Sequence, residues 1–405
     1  MIKRWQLENL ESAMKARRGV NLTGARQVGK STLAGMLERN QCKRYTFDNK
    51  ATRDAAAGDP LDFVRHANGE TIIIDEVQKV PAILDAIKIV LDQDNARGQY
   101  LLTGSSNLHF AKSIRDSLAG RLGKIRLRSL ALGEMTGGKP DFLKAAFERS
   151  FASSYEGLGK REVIHLAFKG GYPEPLEFTK AERRHWFKDY LDDLVNKDVR
   201  EITEIRKISQ MHIVAQWMLA HTAQFFAIDE LAAKAELSKV TVENYIEALR
   251  ALYLFDRVEA WGKSDYDFVG KRSKWIATDP ALVANILGWD EEEVYFDEHR
   301  CGKLVETWVY QQLASISDME DNCLIRHYRD NRKREIDFMV ERDDGRLLGI
   351  EVKSGQVGGD DFRTLKWFAQ NLGKNRFTGV VLYSGKETLR FGEGFYAVPL
   401  GALRG

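Results

Sequence analysis

Residues 24–31, Gly-Ala-Arg-Gln-Val-Gly-Lys-Ser, satisfy the pattern G-x-x-x-x-G-K-[ST] at every position. Gly24 and Gly29 let the backbone turn tightly, so that its N–H groups converge on a phosphate. Lys30 adds a mobile ammonium for β- and γ-phosphates, and Ser31 offers a hydroxyl to Mg²⁺. Arg26, Gln27 and Thr32 complete the nucleotide-contacting set. Downstream, Ile72-Ile73-Ile74-Asp75-Glu76 is an apolar run ending in two carboxylates. Asp75 is placed to hold the ion and Glu76 to polarise the attacking water. A third run, Gln99-Tyr100-Leu101-Leu102-Thr103-Gly104-Ser105-Ser106-Asn107, ends in small polar residues. Ser105 is the candidate γ-phosphate sensor, with Ser106 and Asn107 as alternates; a plain strand–turn explains the run equally well. In Ser117-Leu118-Ala119-Gly120-Arg121, Arg121 is a candidate finger toward the γ-phosphate of a neighbouring subunit. Arg115 competes for that role, and a surface arginine accounts for Arg121 about as well. A finger acting between subunits carries the expectation of a homo-oligomer.

The last hundred residues hold a second constellation. Arg332-Lys333-Arg334-Glu335-Ile336-Asp337-Phe338-Met339-Val340 alternates as a strand does, Gly345 marks a hairpin turn, and Leu347 to Ser354 returns. Glu351 and Lys353 point to one face, because strand side chains repeat every two residues. One carboxylate from each strand beside a lysine is the arrangement of a Mg²⁺-dependent phosphodiesterase. Asp337 and Glu351 would hold the metal through hard oxygens, with Mn²⁺ as the alternative ion. Lys353 would position or deprotonate water. Glu306, on the amphipathic helix Gly302 to Leu313, would complete the metal shell. The bare spacing D-x(13)-E-x-K is common. A cross-strand salt bridge, or a nuclease fold without activity, also accounts for it.

The elements that must position these residues follow from periodicity. Val20 to Thr23, Arg44 to Asp48, Thr71 to Asp75 and Tyr100 to Thr103 read as strands separated by helical patterns, the rhythm of an α/β parallel sheet. Gly137-Gly138-Lys139-Pro140 marks a break. Residues 160–225 read as helical. Residues 226–262 read as a winged helix-turn-helix: a helix capped by Asp229, a turn, a second helix capped by Ser238, then the strand Leu254 to Val258. Glu243 and Glu247 on the second helix would face phosphates badly. Lys263, Lys271, Arg272 and Lys274 in the wing are better candidates for DNA contact, while a winged helix used only for domain packing or oligomer contacts accounts for the segment at least as well. The expected boundaries are a P-loop ATPase domain over 1–150, a helical lid over 151–225, a winged helix over 226–290, and a mixed α/β nuclease-like domain over 291–405.

Lys and Arg number 61 against 59 Asp and Glu, a formal net charge of +2, so no global attraction to polyanions is implied. Any nucleic-acid contact must be local. No run of apolar residues is long enough to span a bilayer. The segment from Met1 leads into an amphipathic helix with Leu7, Leu10 and Met14, without a signal-peptide core. Cys42, Cys301 and Cys323 are scattered with no C-x-x-C pair, which argues against structural zinc or a disulfide framework and for a reducing cytoplasm.

Together these motifs resemble a family of bacterial and archaeal AAA-type ATPases. In that family a P-loop core is followed by a winged helix and a C-terminal restriction-endonuclease-like, PD-(D/E)xK domain. The similarity rests on the loop with Arg26-Gln27, Leu102-Thr103-Gly104-Ser105-Ser106, and Ser117 to Arg121. It extends to Gly171-Tyr172-Pro173, Tyr190-Leu191 with Leu194, Lys197-Asp198, Gly302 to Glu306, Glu335 to Phe338, and Ile350 to Ser354. The resemblance implies ATP binding and Mg²⁺-dependent hydrolysis, and a nuclease-like fold at the C-terminus. Two functions are expected from it. One is an ATP-driven enzyme that binds and cuts DNA; the other is an ATP-controlled oligomeric switch whose nuclease fold is inactive.

Overall fold

The computed structural model describes residues 2–37, 42–65, 70–104, 118, 120–199, 208–262, 272–320, 323–373 and 376–405. The chain forms two compact units. One comprises Met1–Ser129, Leu194–Arg206 and Glu247–Tyr253; the other comprises Leu130–Asp193, Lys207–Ile246 and Leu254–Gly405. The first division thus falls after Ser129, ahead of the Gly137-Gly138-Lys139-Pro140 break.

The first unit is built on five parallel strands: β1 (Gly19–Thr23), β2 (Cys42–Thr46), β3 (Thr71–Asp75), β4 (Tyr100–Gly104) and β5 (Leu122–Arg126). Their spatial order is β2-β3-β4-β1-β5. β4 therefore lies between β1, which leads into the phosphate loop, and β3, which ends at Asp75. Both β1 and β4 are buried along almost their whole length, as their continuous apolar runs require in a sheet covered on both faces. The helix Ala82–Gln93 buries Ile83, Leu84, Ala86, Ile87 and Leu91 at helical spacing, within a core that includes Ile72, Ile74, Tyr100 and Leu102.

The helix Ile228–Ala235 of the second unit and the helix Lys239–Ala251, whose residues from Glu247 on belong to the first unit, precede an antiparallel pair of the second unit, β6 (Phe255–Val258) and β7 (Lys274–Ala277). Ser238 Oγ accepts from Thr241 N at 3.1 Å, as its capping role requires. Asp229 lies inside the first turn of its helix, and its carboxylate pairs with Lys239. The C-terminal sheet is mixed. In it β8 (Cys323–Arg329), β9 (Glu335–Arg342) and β10 (Leu347–Val352) are antiparallel neighbours, and β10 pairs in parallel with β11 (Phe377–Tyr383). β13 (Phe395–Pro399) continues beside β11, and β12 (Leu389–Gly392) closes the edge. Gly345 turns the β9–β10 hairpin at φ 77°, and its N–H donates to Arg342 O at 2.8 Å. The long helix Glu298–Ser317 is capped by Asp297, whose carboxylate accepts from His299 N and Arg300 N.

A buried carboxylate ties this unit together. Asp279, fully buried, accepts from Gly171 N, Ala281 N and Gln311 Nε2 at 2.9, 2.9 and 3.1 Å. Gly171 is held so close to Leu130 that a Cβ there would lie 2.1 Å from the Leu130 carbonyl oxygen. The Gly171-Tyr172-Pro173 segment is therefore built for packing. Replacing Asp279 with Ala removes three buried hydrogen bonds. It is expected to lower stability by about 3 kcal/mol in chemical denaturation, at roughly 1 kcal/mol or more per lost buried bond. A change below about 1 kcal/mol would contradict this account.

Candidate nucleotide site and carboxylate cluster

The phosphate loop has the backbone its glycines anticipate. Gly24 and Gly29 take φ values of 149° and 96°, and a Cβ on Gly24 would fall 2.1 Å from the Leu127 carbonyl oxygen. Gln27 adopts φ 61°, a left-handed conformation that costs a non-glycine residue of order 1 kcal/mol and needs outside support. Part of that support comes from Arg4, which is only 6 % exposed. Its guanidinium donates to Val28 O and to Arg128 O, both at 2.7 Å. Pinning the Val28 carbonyl outward turns the trans-related N–H of Gly29 the opposite way. Lys30 Nζ donates to Gly24 O at 3.0 Å and Ala25 O at 2.7 Å. The helix Lys30–Gly35 begins at this lysine. Ser31 and Thr32 are exposed, as is Gln27, while Arg26 is half-buried.

Asp75 ends β3 at the level of the loop. Ser31 Oγ donates to its Oδ2 at 2.7 Å, and the Thr103 hydroxyl donates to its Oδ1. These oxygens are the hard donors that Mg²⁺ prefers, so Ser31 and Asp75 fit the ion. A bound Mg²⁺ would neutralise charge on the β- and γ-phosphates. Glu76 follows at φ 56°, its carboxylate accepting from the Gln78 amide. The left-handed backbone turns it out of the line of β3.

The sequence missed Thr103. The register β3–β4 pairs Ile72 with Tyr100 and Ile74 with Leu102, which sets Thr103 level with Asp75. Equal three-residue offsets from Tyr100 and Ile72 were the available signal. Ser105, Ser106, Asn107 and Arg115 lie outside the described residues. Arg121 is described, and it forms a two-pronged ion pair with Asp92, Nε–Oδ1 at 2.6 Å and Nη2–Oδ2 at 3.1 Å.

In the C-terminal sheet, the β9–β10 register carries Asp337 and Glu351 to neighbouring positions, next to the Phe338–Ile350 pair. Asp337 Oδ2 accepts from Val352 N at 2.9 Å. Lys353 Nζ lies 3.5 Å from Asp361, and its side chain is 41 % exposed. Lys274 overturns its reading as a surface wing residue. It is 1 % exposed, with Nζ 2.8 Å from Glu306 Oε1 and 2.9 Å from Glu335 Oε1. In β7 it shares the inward face with Ile276, and the acidic residues meeting it outweigh the basic stretch around it in sequence. Lys263 and Lys271 lie outside the described residues; Arg272 is exposed.

Burial pushes the carboxyl groups of this cluster upward. Burial raises Glu306 above its ordinary range; Lys274 opposes the rise, and Asp337 and Glu335 add to it. Burial likewise raises Asp337 against the pull of Lys274 and of the Val352 N–H. Burial and the neighbouring Asp337 hold Glu351 well above its ordinary range. Burial alone would depress the Lys274 ammonium, but Glu306, Asp337 and Glu335 more than offset it and keep it charged. Among the described residues, no three acidic, histidine or cysteine side chains are arranged to hold a metal ion. As placed, Glu306, Asp337 and Glu351 do not fit a metal centre; a lysine stands among them.

Two measurements address the nucleotide site. Thr103→Val keeps the shape and removes one bond to an ionised carboxylate; it should lower kcat for ATP hydrolysis about tenfold with KM little changed. A kcat within twofold of wild type would remove Thr103 from the site. Arg4→Gln should weaken ATP binding about tenfold while leaving adenosine binding unchanged, because the loop carbonyl that Arg4 holds, Val28 O, belongs to the phosphate cradle. Equal losses for ATP and adenosine would show general damage instead.

Residues 16–136 match the family model described as an AAA domain. Residues 160–293 and 301–403 match two models described as domains of unknown function, DUF8612 and DUF4143. Uncharacterized proteins of Mycobacterium bovis and Mycobacterium tuberculosis are each 25 % identical over 361 residues, covering 86 % of this chain and 74 % of theirs. One from Methanocaldococcus jannaschii is 23 % identical, covering 70 % of this chain and 61 % of its own. Among solved structures, a RuvB variant from Thermotoga maritima aligns at 14 % identity with TM-score 0.31, over 71 % of this chain and 96 % of that one. A Vibrio cholerae protein aligns at 11 % identity with TM-score 0.21, over 96 % of this chain and 95 % of that one. Among the described residues, no helix is long and apolar enough to cross a membrane. Residues 16–136, with their complete phosphate loop, are an AAA-type P-loop domain.

Proposed function

We propose that this protein is a Mg²⁺-dependent ATPase, working as a homo-oligomer, whose C-terminal domain acts on DNA through a PD-(D/E)xK-like site. One observation carries the ATPase half: Asp75 is bonded at once to Ser31 of the phosphate loop and to Thr103 of the inserted strand. Lys30 serves the β- and γ-phosphates, and Glu76 polarises the attacking water. Arg121 acts as a finger by exchanging Asp92 for a phosphate of the neighbouring subunit. The Arg121–Asp92 pair is partly solvated, 24 % and 43 % exposed, so giving it up costs little. In the C-terminal domain, Asp337, Glu351, Lys353 and Glu306 carry the action on the phosphodiester.

Lys274 favours a second reading, in which ATP sets the oligomeric state and the nuclease-like fold does not cut. A buried ammonium already compensates the carboxylates there. The deciding experiment incubates plasmid and single-stranded DNA with wild type, Asp337→Ala and Lys30→Ala, with and without ATP, in Mg²⁺ and Mn²⁺. ATP hydrolysis should disappear in Lys30→Ala and persist in Asp337→Ala. DNA cleavage by wild type that is lost in Asp337→Ala supports the nuclease. Cleavage that survives Asp337→Ala rejects the site, and ATP turnover without cleavage in any lane supports the switch.

A further inference from the structure

We infer that Lys274 is the resident cation of the C-terminal carboxylate cluster, a lock built into the fold that excludes divalent metal while it is seated. The inference rests on reading Glu306, Asp337 and Glu351 as the cation-binding set. Three elements distant in sequence converge on the ammonium: β7 supplies Lys274, the helix Glu298–Ser317 supplies Glu306, and β9 supplies Glu335. A lysine is rarely buried to this extent unless its charge is met on several sides. Here two carboxylates meet it within 2.9 Å, and the ring of Phe225 lies 5.4 Å from the nitrogen. Lys353 is no substitute: it is half-exposed and turned toward Asp361.

The geometry makes metal and ammonium competitors. A divalent ion ligated by Glu306 must approach a carboxylate oxygen to roughly 2.0–2.6 Å. The Lys274 nitrogen already stands 2.8 Å from Glu306 Oε1. Both cations together would sit within roughly 5 Å of each other, where like charges in a buried site repel strongly. Glu335, for which the sequence offered no task, gains one: it is the second carboxylate on the ammonium, and its other oxygen lies 3.9 Å from Arg329. Withdrawing Lys274 would free Glu306 and Glu335 together, so the cluster passes from charge-compensated to cation-seeking in one motion.

The test is calorimetric titration of the full chain with Mn²⁺ in the absence of nucleotide. Wild type, Lys274→Met and the double variant Lys274→Met with Asp337→Asn are compared. Lys274→Met should bind Mn²⁺ at least about tenfold more tightly than wild type, and the double variant should lose that gain. Equal affinity in wild type and Lys274→Met would overturn the lock and leave an ordinary salt bridge; a gain that persists in the double variant would place the metal elsewhere and overturn it as well. Should Lys274→Met not fold, Lys274→Met with Glu335→Gln removes the ammonium together with a partner that is outside the cation-binding set. Mn²⁺ binding gained there over wild type supports the lock, and no gain overturns it. Cleavage is scored separately: metal bound by Lys274→Met without DNA cutting sinks the nuclease reading and leaves the lock standing.

Discussion

The placement of β4 between β1 and β3 is the constraint on which the nucleotide site depends. Parallel pairing on both sides fixes Thr103 level with Leu22 of β1 and with the end of β3. A strand inserted one residue out of register would turn Thr103 to the opposite face of the sheet and leave Asp75 Oδ1 without its donor. The buried runs Ile72–Ile74 and Tyr100–Leu102 oppose such a slip, because shifting either would force side chains that are now fully or almost fully buried to repack against the other face. Hydrophobic packing in the sheet thus sets a hydrogen-bond geometry at its edge.

What the sequence revealed and what it hid divide along chain distance. The phosphate loop is a local object: turn, lysine and hydroxyl lie within eight consecutive residues, and their types state their chemistry. Asp75 is legible because an apolar run ends on a carboxylate, which a buried strand tolerates only at its tip. The sheet class and the β9–β10 hairpin follow from periodicity and from a turn glycine at 345. Arg4 was not legible, since nothing near it in sequence tells that its guanidinium will reach Val28 and Arg128. Thr103 was half legible: it stood in the right strand, and only the pairing register separates it from Ser105.

Lys274 shows the limit most plainly. Its neighbours Lys271 and Arg272 make it look like part of a solvated basic patch, and a charge run is normally a surface. The strand β7 overrides that expectation. With Trp275 on the other side of the pleat, Lys274 must share the inner face with Ile276. A lysine forced inward is tolerable only where carboxylates await it, and those come from residues 306 and 335, out of reach of any local pattern. The acidic set read as a metal site and the basic set read as a nucleic-acid patch are, in part, each other's partners.

Both candidate sites answer one physical demand, that a carboxylate withdrawn from water must be met by donors, and they answer it in opposite ways. Asp75 is met by two hydroxyls. Hydroxyls satisfy its lone pairs but leave its negative charge intact, so the site still attracts a cation, and Ser31 can rotate to share in binding it. Glu306 and Glu335 are met by an ammonium, which cancels charge as well as filling lone pairs. The first arrangement is poised for Mg²⁺ as it stands. The second is closed to metal until the lysine leaves. Counting carboxylates makes the two sites look alike; the charge of the group that satisfies them sets the difference.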